Sequence, residues 1–173
     1  MNKSIFKIFI FLLVSNAFSG VINHYGGNIG LISGIYDLWE SLEPGIQGNF
    51  FVEPKTILPV EINFGFTLQN KKYASEKLIM FPISLSYTYY FKSCNKNLYF
   101  LKFGFGGIFE NVLSSPSFSN FDPLFITSLG VDFKLNKKFS LYSQISYLFV
   151  YQKYIEKARY NGNFLILSFG IKK

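Results

Sequence analysis

The chain has 173 residues, a length suited to one domain. Its residues are 49% hydrophobic and 20% aromatic, which excludes an intrinsically disordered protein. Seventeen Lys and Arg residues against ten Asp and Glu residues give a net charge of +7. The basic residues lie mainly near the two ends of the chain and in predicted turns, so we expect no nucleic-acid partner.

Residues 1–19 have the pattern of a cleaved export signal. Lys3 and Lys7 precede a short apolar run at residues 8–14, and Ala17 and Ser19 occupy the small-residue positions that a signal peptidase reads. The run is about half of the roughly 20 apolar residues that a membrane-spanning helix requires. We therefore predict that residues 1–19 are a signal peptide and that residues 20–173 form the exported domain.

The residue types that commonly carry chemistry are scarce. Cys94 is the only cysteine, which excludes a disulfide within the chain and a metal site built from cysteines. The only histidine, His24, lies near the predicted start of the first strand, and no serine motif surrounds it. We therefore predict a protein without catalytic residues, metal or cofactor, and not an enzyme.

After residue 20 the hydrophobic pattern has a period of two, which predicts β-strands. We predict eight of them, at 27–37, 45–53, 57–69, 77–92, 97–110, 123–135, 139–152 and 162–171. The third strand is representative. One face carries Val60, Ile62, Phe64, Phe66 and Leu68, and the other carries Glu61, Asn63, Thr67 and Gln69.

The face opposite the apolar one is small and sparsely charged on every clear strand. A soluble sandwich or barrel would carry many long polar side chains on its solvent face. An eight-stranded barrel, in contrast, has an interior just large enough to be filled by side chains such as Gly, Ser and Gln. The pattern predicts an all-β fold, an eight-stranded antiparallel up-and-down transmembrane β-barrel with its apolar face against lipid.

Connection lengths and aromatic residues favour the same fold. Short predicted connections at 54–56, 93–96 and 136–138 alternate with longer ones at 38–44, 70–76, 111–122 and 153–161. This alternation is typical of outer-membrane barrels with tight periplasmic turns and longer external loops. With that topology the aromatic residues gather near both rims, as expected at the two membrane interfaces.

In its export signal, its patterned strands and its last strand, NFLILSFGI at 163–171, the chain resembles the small eight-stranded outer-membrane barrels of the OmpA-transmembrane, OmpX and OmpW-like types. It departs from them in ending with two lysines rather than a terminal aromatic residue. The resemblance implies a monomer in a bacterial outer membrane, in contact with outer-membrane lipid and inserted by the barrel-assembly machinery.

Four ionisable residues fall on the predicted interior face: Glu61, Lys102, Asp132 and Lys134. Lone charges in so narrow an interior would be costly, so we predict that they form a hydrogen-bonded and ion-paired plug. Lys102 is the expected partner of Glu61. A conduction path lined by the same residues is the alternative.

The remaining functional potential lies in the predicted loops. Their cationic residues are Lys71, Lys72, Lys153, Lys157 and Arg159. These residues could contact the phosphates of lipopolysaccharide or another polyanion, or form solvated loops. The leading prediction is a structural or surface-interaction role carried by extracellular loops. A narrow channel for small or apolar solutes is the alternative, and a lipid-modifying enzyme is disfavoured because the catalytic constellation is missing.

Overall fold

The protein is a closed β-barrel. The computed structural model describes residues 22–35, 42–55, 59–72, 77–91, 97–113, 118–151 and 162–173. The strands are β1 (Ile22–Gly34), β2 (Gly45–Pro54), β3 (Val60–Asn70), β4 (Lys77–Phe91), β5 (Asn97–Leu113), β6 (Phe118–Lys134), β7 (Ser140–Val150) and β8 (Gly162–Lys172). The predicted eight-stranded antiparallel barrel is confirmed. Within the described ranges, no helix has the length and hydropathy required to cross a bilayer. The predicted signal peptide lies outside these ranges.

The first and last strands close the barrel through a continuous antiparallel ladder. It runs from Gly26 opposite Lys172 to Gly34 opposite Phe164. Tyr25 and Lys173 extend it by exchanging two backbone hydrogen bonds of 3.1 and 2.8 Å. Closure removes the two exposed edges that an open eight-stranded sheet would present.

The two ends of the barrel are distinguished by their connections. Residues 55–59, 92–96 and 135–139 connect strands at one end, here called the turn end, where Ile22 and Lys173 also lie. Residues 35–44, 71–76, 114–117 and 151–161 connect strands at the other, here called the loop end. Asn136 shapes the last turn, because its side-chain oxygen accepts the backbone N–H groups of Lys138 and Phe139 at 2.8 and 2.9 Å.

Two sets of predicted boundaries are corrected by the structure. β1 begins at Ile22 rather than at residue 27. The predicted loop at 111–122 is largely strand, since β5 and β6 are 17 residues each and pair as far as Val112 opposite Phe118. The reason is that the stretch NVLSSPSFSNFD at 111–122 is rich in polar residues, which indicate a loop, although the hydrogen-bonded ladder continues.

The orientation predicted for β3 is confirmed. Glu61 and Thr67 are buried on the inside, whereas Phe64 and Phe66 are 48% and 40% exposed on the outside. Large exposed apolar side chains continue around the barrel, including Ile29, Leu31, Ile83, Leu85, Phe103, Phe105, Phe125, Leu129, Ile145, Leu165, Leu167 and Phe169. Such a continuous coat is far more extensive than the apolar patches of soluble monomers and is suited to contact with lipid.

Candidate functional site

The interior near the loop end is filled by apolar side chains, here called the apolar plug. Its members are Ile32, Leu42, Leu78, Met80, Ile108, Leu124, Leu148, Val150, Phe164 and Ile166, each at most 8% exposed. The sequence predicted an interior of small and polar residues, and for the loop-end half of the interior that prediction is wrong. Runs such as YLFV at 147–150 are apolar on both faces, so their inward residues cannot be distinguished from their outward ones by alternation.

A buried ion pair occupies the middle of the interior. Lys102 Nζ lies 2.5 Å from Glu61 Oε2, and the two side chains are 8% and 3% exposed. Thr88 Oγ1 donates a hydrogen bond of 3.0 Å to the other carboxylate oxygen. The Lys102 ammonium also lies 5.3 and 5.8 Å from the ring centroids of Phe51 and Phe100. Each charge is therefore compensated by several partners, as a buried pair requires.

Aromatic side chains form the next layer toward the turn end. The rings of Phe51 and Phe100 lie 6.0 and 6.4 Å from the ring of Tyr142, and Tyr90 lies 6.1 Å from Phe100. Asn28 Nδ2 donates a hydrogen bond of 2.9 Å to the Tyr142 hydroxyl. This aromatic layer needs glycine on a facing strand, because a Cβ at Gly130 would collide with the ring of Phe100.

These three groups leave almost no free space in the middle of the barrel. Between the apolar plug and the ion pair lies a cavity of about 30 Å³, bordered by polar side chains that include Asn63, Ser86 and Ser146. That volume is roughly the share of one water molecule in the liquid. Side chains therefore fill the middle of the barrel within the described residues.

An open cavity of about 900 Å³ lies beyond the aromatic layer, at the turn end, and is here called the vestibule. Its lining residues are Asn23, His24, Glu53, Tyr90, Leu98, Asp132, Lys134, Leu135, Asn136, Lys137, Lys138, Phe139, Ser140, Lys172 and Lys173. Sequence reasoning missed Glu53 and Lys172 here, although both lie on the interior face of their strands. Lys172 Nζ lies 2.6 Å from the Tyr90 hydroxyl and 4.0 Å from Glu53 Oε2.

The four residues of the predicted plug are divided between two places. Glu61 and Lys102 form the central pair, whereas Asp132 and Lys134 line the vestibule. Asp132 is buried, but Lys134 is exposed, so its assignment to a buried network is corrected. The reason is position along the strand: β6 ends at Lys134, where the interior opens into the vestibule.

The predicted cationic loop surface is described only in part. Lys71 and Lys72 directly follow β3 at the loop end, where Lys71 forms a β-bridge with Leu42. Lys153, Lys157 and Arg159 lie outside the described residues. In the part of the chain that the structure describes, no group of three or more His, Cys, Asp or Glu side chains could hold a metal ion.

Comparison with known proteins agrees with the barrel architecture. A protein-family model matches residues 41–172. The crystal structure of Neisserial surface protein A is similar with a TM-score of 0.64 and 14% identity, covering 86% of this chain and 94% of that one. The chain belongs to the small eight-stranded outer-membrane β-barrels.

Two further solved structures show the same outer-membrane barrel fold. A major outer membrane protein from Thermus thermophilus has a TM-score of 0.52 and 12% identity, covering 86% of this chain and 98% of that one. The N-terminal β-barrel domain of Pseudomonas aeruginosa OprF has a TM-score of 0.50 and 12% identity, covering 88% of this chain and 97% of that one. No curated protein matches the sequence significantly.

Proposed function

We propose that this chain is a non-conducting protein of a Gram-negative outer membrane that acts at the cell surface through its loop end. The closed interior is the observation that carries the proposal. A solute would have to displace the apolar plug, the Glu61–Lys102 pair and the aromatic layer in succession. The barrel is thus a scaffold, and no enzymatic step is part of the proposal.

Recording in planar bilayers tests the closed scaffold against the narrow channel. The purified, folded barrel is expected to give no reproducible single-channel steps. A variant in which Met80, Ile108 and Phe164 are replaced by alanine removes bulky members of the apolar plug and serves as the sensitised comparison. Reproducible steps in the unsubstituted protein, with a larger conductance in the triple variant, would identify a transport pathway and contradict the scaffold.

The apolar coat and the family support the proposed outer-membrane location, which has its own test. Cell fractionation is expected to recover the protein with the outer membrane, and the folded form is expected to migrate differently on a gel before and after boiling. A protein in the soluble periplasmic fraction whose mobility does not change on heating would contradict the proposed location.

Anionic surface glycolipid is the proposed partner of the loop end. Lys71 and Lys72 lie there, and the connection at 151–161 contains Lys153, Lys157 and Arg159. Cationic side chains bind phosphate groups by charge pairing that weakens as salt increases. Replacing Lys153, Lys157 and Arg159 by glutamine is expected to reduce lipopolysaccharide binding, whereas replacing Lys137 and Lys138 at the turn end is expected to leave it unchanged. Equal losses in both variants would contradict a specific loop-end site.

A further inference from the structure

The vestibule contains a buried carboxylate with one oxygen that lacks a hydrogen-bond partner. Asp132 is 5% exposed, and its Oδ1 has no such partner in the structure. Asp132 takes part neither in the interior ion pair of Lys102 with Glu61 nor in the vestibule ion pair of Lys172 with Glu53. Burying a carboxylate is unfavourable unless a hydrogen-bond donor or a cation compensates its charge. Asp132 Oδ1 is therefore suited to accept a hydrogen bond from a cationic group of a ligand.

The other acidic group of the vestibule is already compensated. Glu53 Oε1 accepts a hydrogen bond of 2.8 Å from Asn23 Nδ2, and Glu53 Oε2 lies 4.0 Å from Lys172 Nζ. Lys172 in turn donates a hydrogen bond of 2.6 Å to the Tyr90 hydroxyl. The interior lysine of the vestibule therefore serves Glu53 and Tyr90, which singles out Asp132 as the group with unused acceptor capacity.

The rim of the vestibule has the opposite charge. Lys134, the last residue of β6, and Lys137 and Lys138, in the connection to β7, are exposed at the opening. Lys173 lies beside this group, because its ammonium is 5.6 Å from the ring centroid of Tyr25 and 6.0 Å from that of Phe139. A concentration of lysines around a cavity attracts acidic groups.

The combination selects the chemistry of the ligand. A simple anion would meet the Asp132 carboxylate at the floor, and a simple cation would have to pass the lysine rim. A molecule with both charges satisfies both regions, and Leu98, Leu135 and Phe139 add apolar side chains to the lining. The volume of about 900 Å³ is within the usual range for small-molecule sites, roughly 300–1,000 Å³.

We propose that the vestibule binds a small zwitterion, whose primary ammonium donates to Asp132 and whose acidic group pairs with the lysines of the rim. Such a ligand could be an amino acid or short peptide, or the headgroup of an aminophospholipid. Both sources share the ammonium and the acid. The site is independent of the proposed loop-end function, because it lies at the opposite end of the barrel.

Calorimetric titration of the full folded barrel in detergent tests the proposal. The probes are glycyl-glutamate for the peptide source and glycerophosphoethanolamine for the headgroup source. N-acetyl-glycyl-glutamate lacks the ammonium and glycinamide lacks the acid. At least one zwitterion is expected to bind. The two probes that carry charge of one sign only are expected to bind at least about tenfold more weakly, because a charge-assisted hydrogen bond is lost.

Matched aspartate variants link the binding to one carboxylate. Asp132→Asn preserves size and is expected to weaken zwitterion binding by at least about tenfold. Asp122→Asn changes another buried aspartate of β6, which does not line the vestibule, and is expected to leave binding unchanged. Heat-dependent gel mobility verifies that each variant is folded. The proposal is wrong if no zwitterion binds, if the acetylated peptide binds as well as glycyl-glutamate, or if Asp132→Asn has no effect.

Discussion

Single residues in the interior derive their importance from burial. An exposed ion pair contributes little to stability, but Glu61 and Lys102 are both buried and each compensates the other. The alternation of inward and outward residues along each strand predicted that both residues lie inside the barrel and suggested that they pair. It could not establish the contact, because contact depends on strand register and on the Thr88 hydroxyl supplied by a neighbouring strand.

Removing one partner of the central pair is expected to be more harmful than removing both. Lys102→Met leaves the Glu61 carboxylate buried without its cation and should lower the free energy of unfolding by about 3–5 kcal/mol. Adding Glu61→Gln should recover most of that loss. Urea unfolding in lipid vesicles, followed by gel mobility, measures both effects.

The Lys172–Glu53 contact is the control for the central pair, since its atoms are 4.0 Å apart and its side chains are 11% and 7% exposed. Lys172→Met should cost less than Lys102→Met. Equal losses in these two single variants, or strictly additive losses in the double variant, would contradict the special role assigned to the Glu61–Lys102 pair.

A glycine substitution distinguishes interior packing from strand propensity. A Cβ at Gly130 would collide with the ring of Phe100, whereas a Cβ at Gly48 on the outer face would meet no atom within 4 Å. Gly130→Ala should therefore destabilise the barrel by about 1–3 kcal/mol through overpacking. Gly48→Ala should be neutral or slightly stabilising, because glycine weakens a strand interior. Comparable urea midpoints for the two variants would exclude close packing of the aromatic layer.

Individual strands were predictable where one face is apolar and the other is not. β3 satisfies that condition along most of its length, and its predicted faces are confirmed. The signal fails where both faces carry the same type of residue. The apolar plug was missed because inward and outward residues are alike, and the outer parts of β5 and β6 were missed because polar residues there indicated a loop.

The destabilisation caused by a charge on the outer face of β6 should depend on how far the charge lies from the bilayer midplane. Leu129 is 60% exposed on the outer face, and Phe133 lies one residue before the end of the strand. Leu129→Arg is expected to lower the free energy of unfolding in vesicles by about 2–4 kcal/mol, and Phe133→Arg by about 0–1 kcal/mol, because the penalty decreases from the bilayer midplane to the interface. Equal penalties at the two positions would contradict a lipid-facing coat.

At the scale of the whole molecule, the interior and the exterior exchange the roles that they have in a soluble barrel. The coat is apolar because its solvent is lipid, and the interior combines an apolar plug with a compensated ion pair because it excludes almost all water. Strand number and orientation followed from the sequence. The division of the interior into plug, pair, aromatic layer and vestibule did not, since it depends on which residues of different strands share a level.

The seam between β1 and β8 provides the most direct test of closure. Leu31 and Leu167 face outward directly opposite each other across this seam. Paired positions of antiparallel strands have Cα atoms about 4.5–5.5 Å apart, and a disulfide requires less than about 7 Å. In a Cys94→Ser background, Leu31→Cys with Leu167→Cys should therefore form a disulfide on mild oxidation, detected as a shift in gel mobility that reductant reverses. Leu31→Cys with Phe105→Cys joins strands that do not pair and should remain reduced. In this barrel β1 pairs with β8 and not with β5, so only the first pair of cysteines can form a disulfide. An eight-stranded barrel with this register is excluded if the second pair cross-links within one chain. It is also excluded if the first pair does not cross-link in the folded protein.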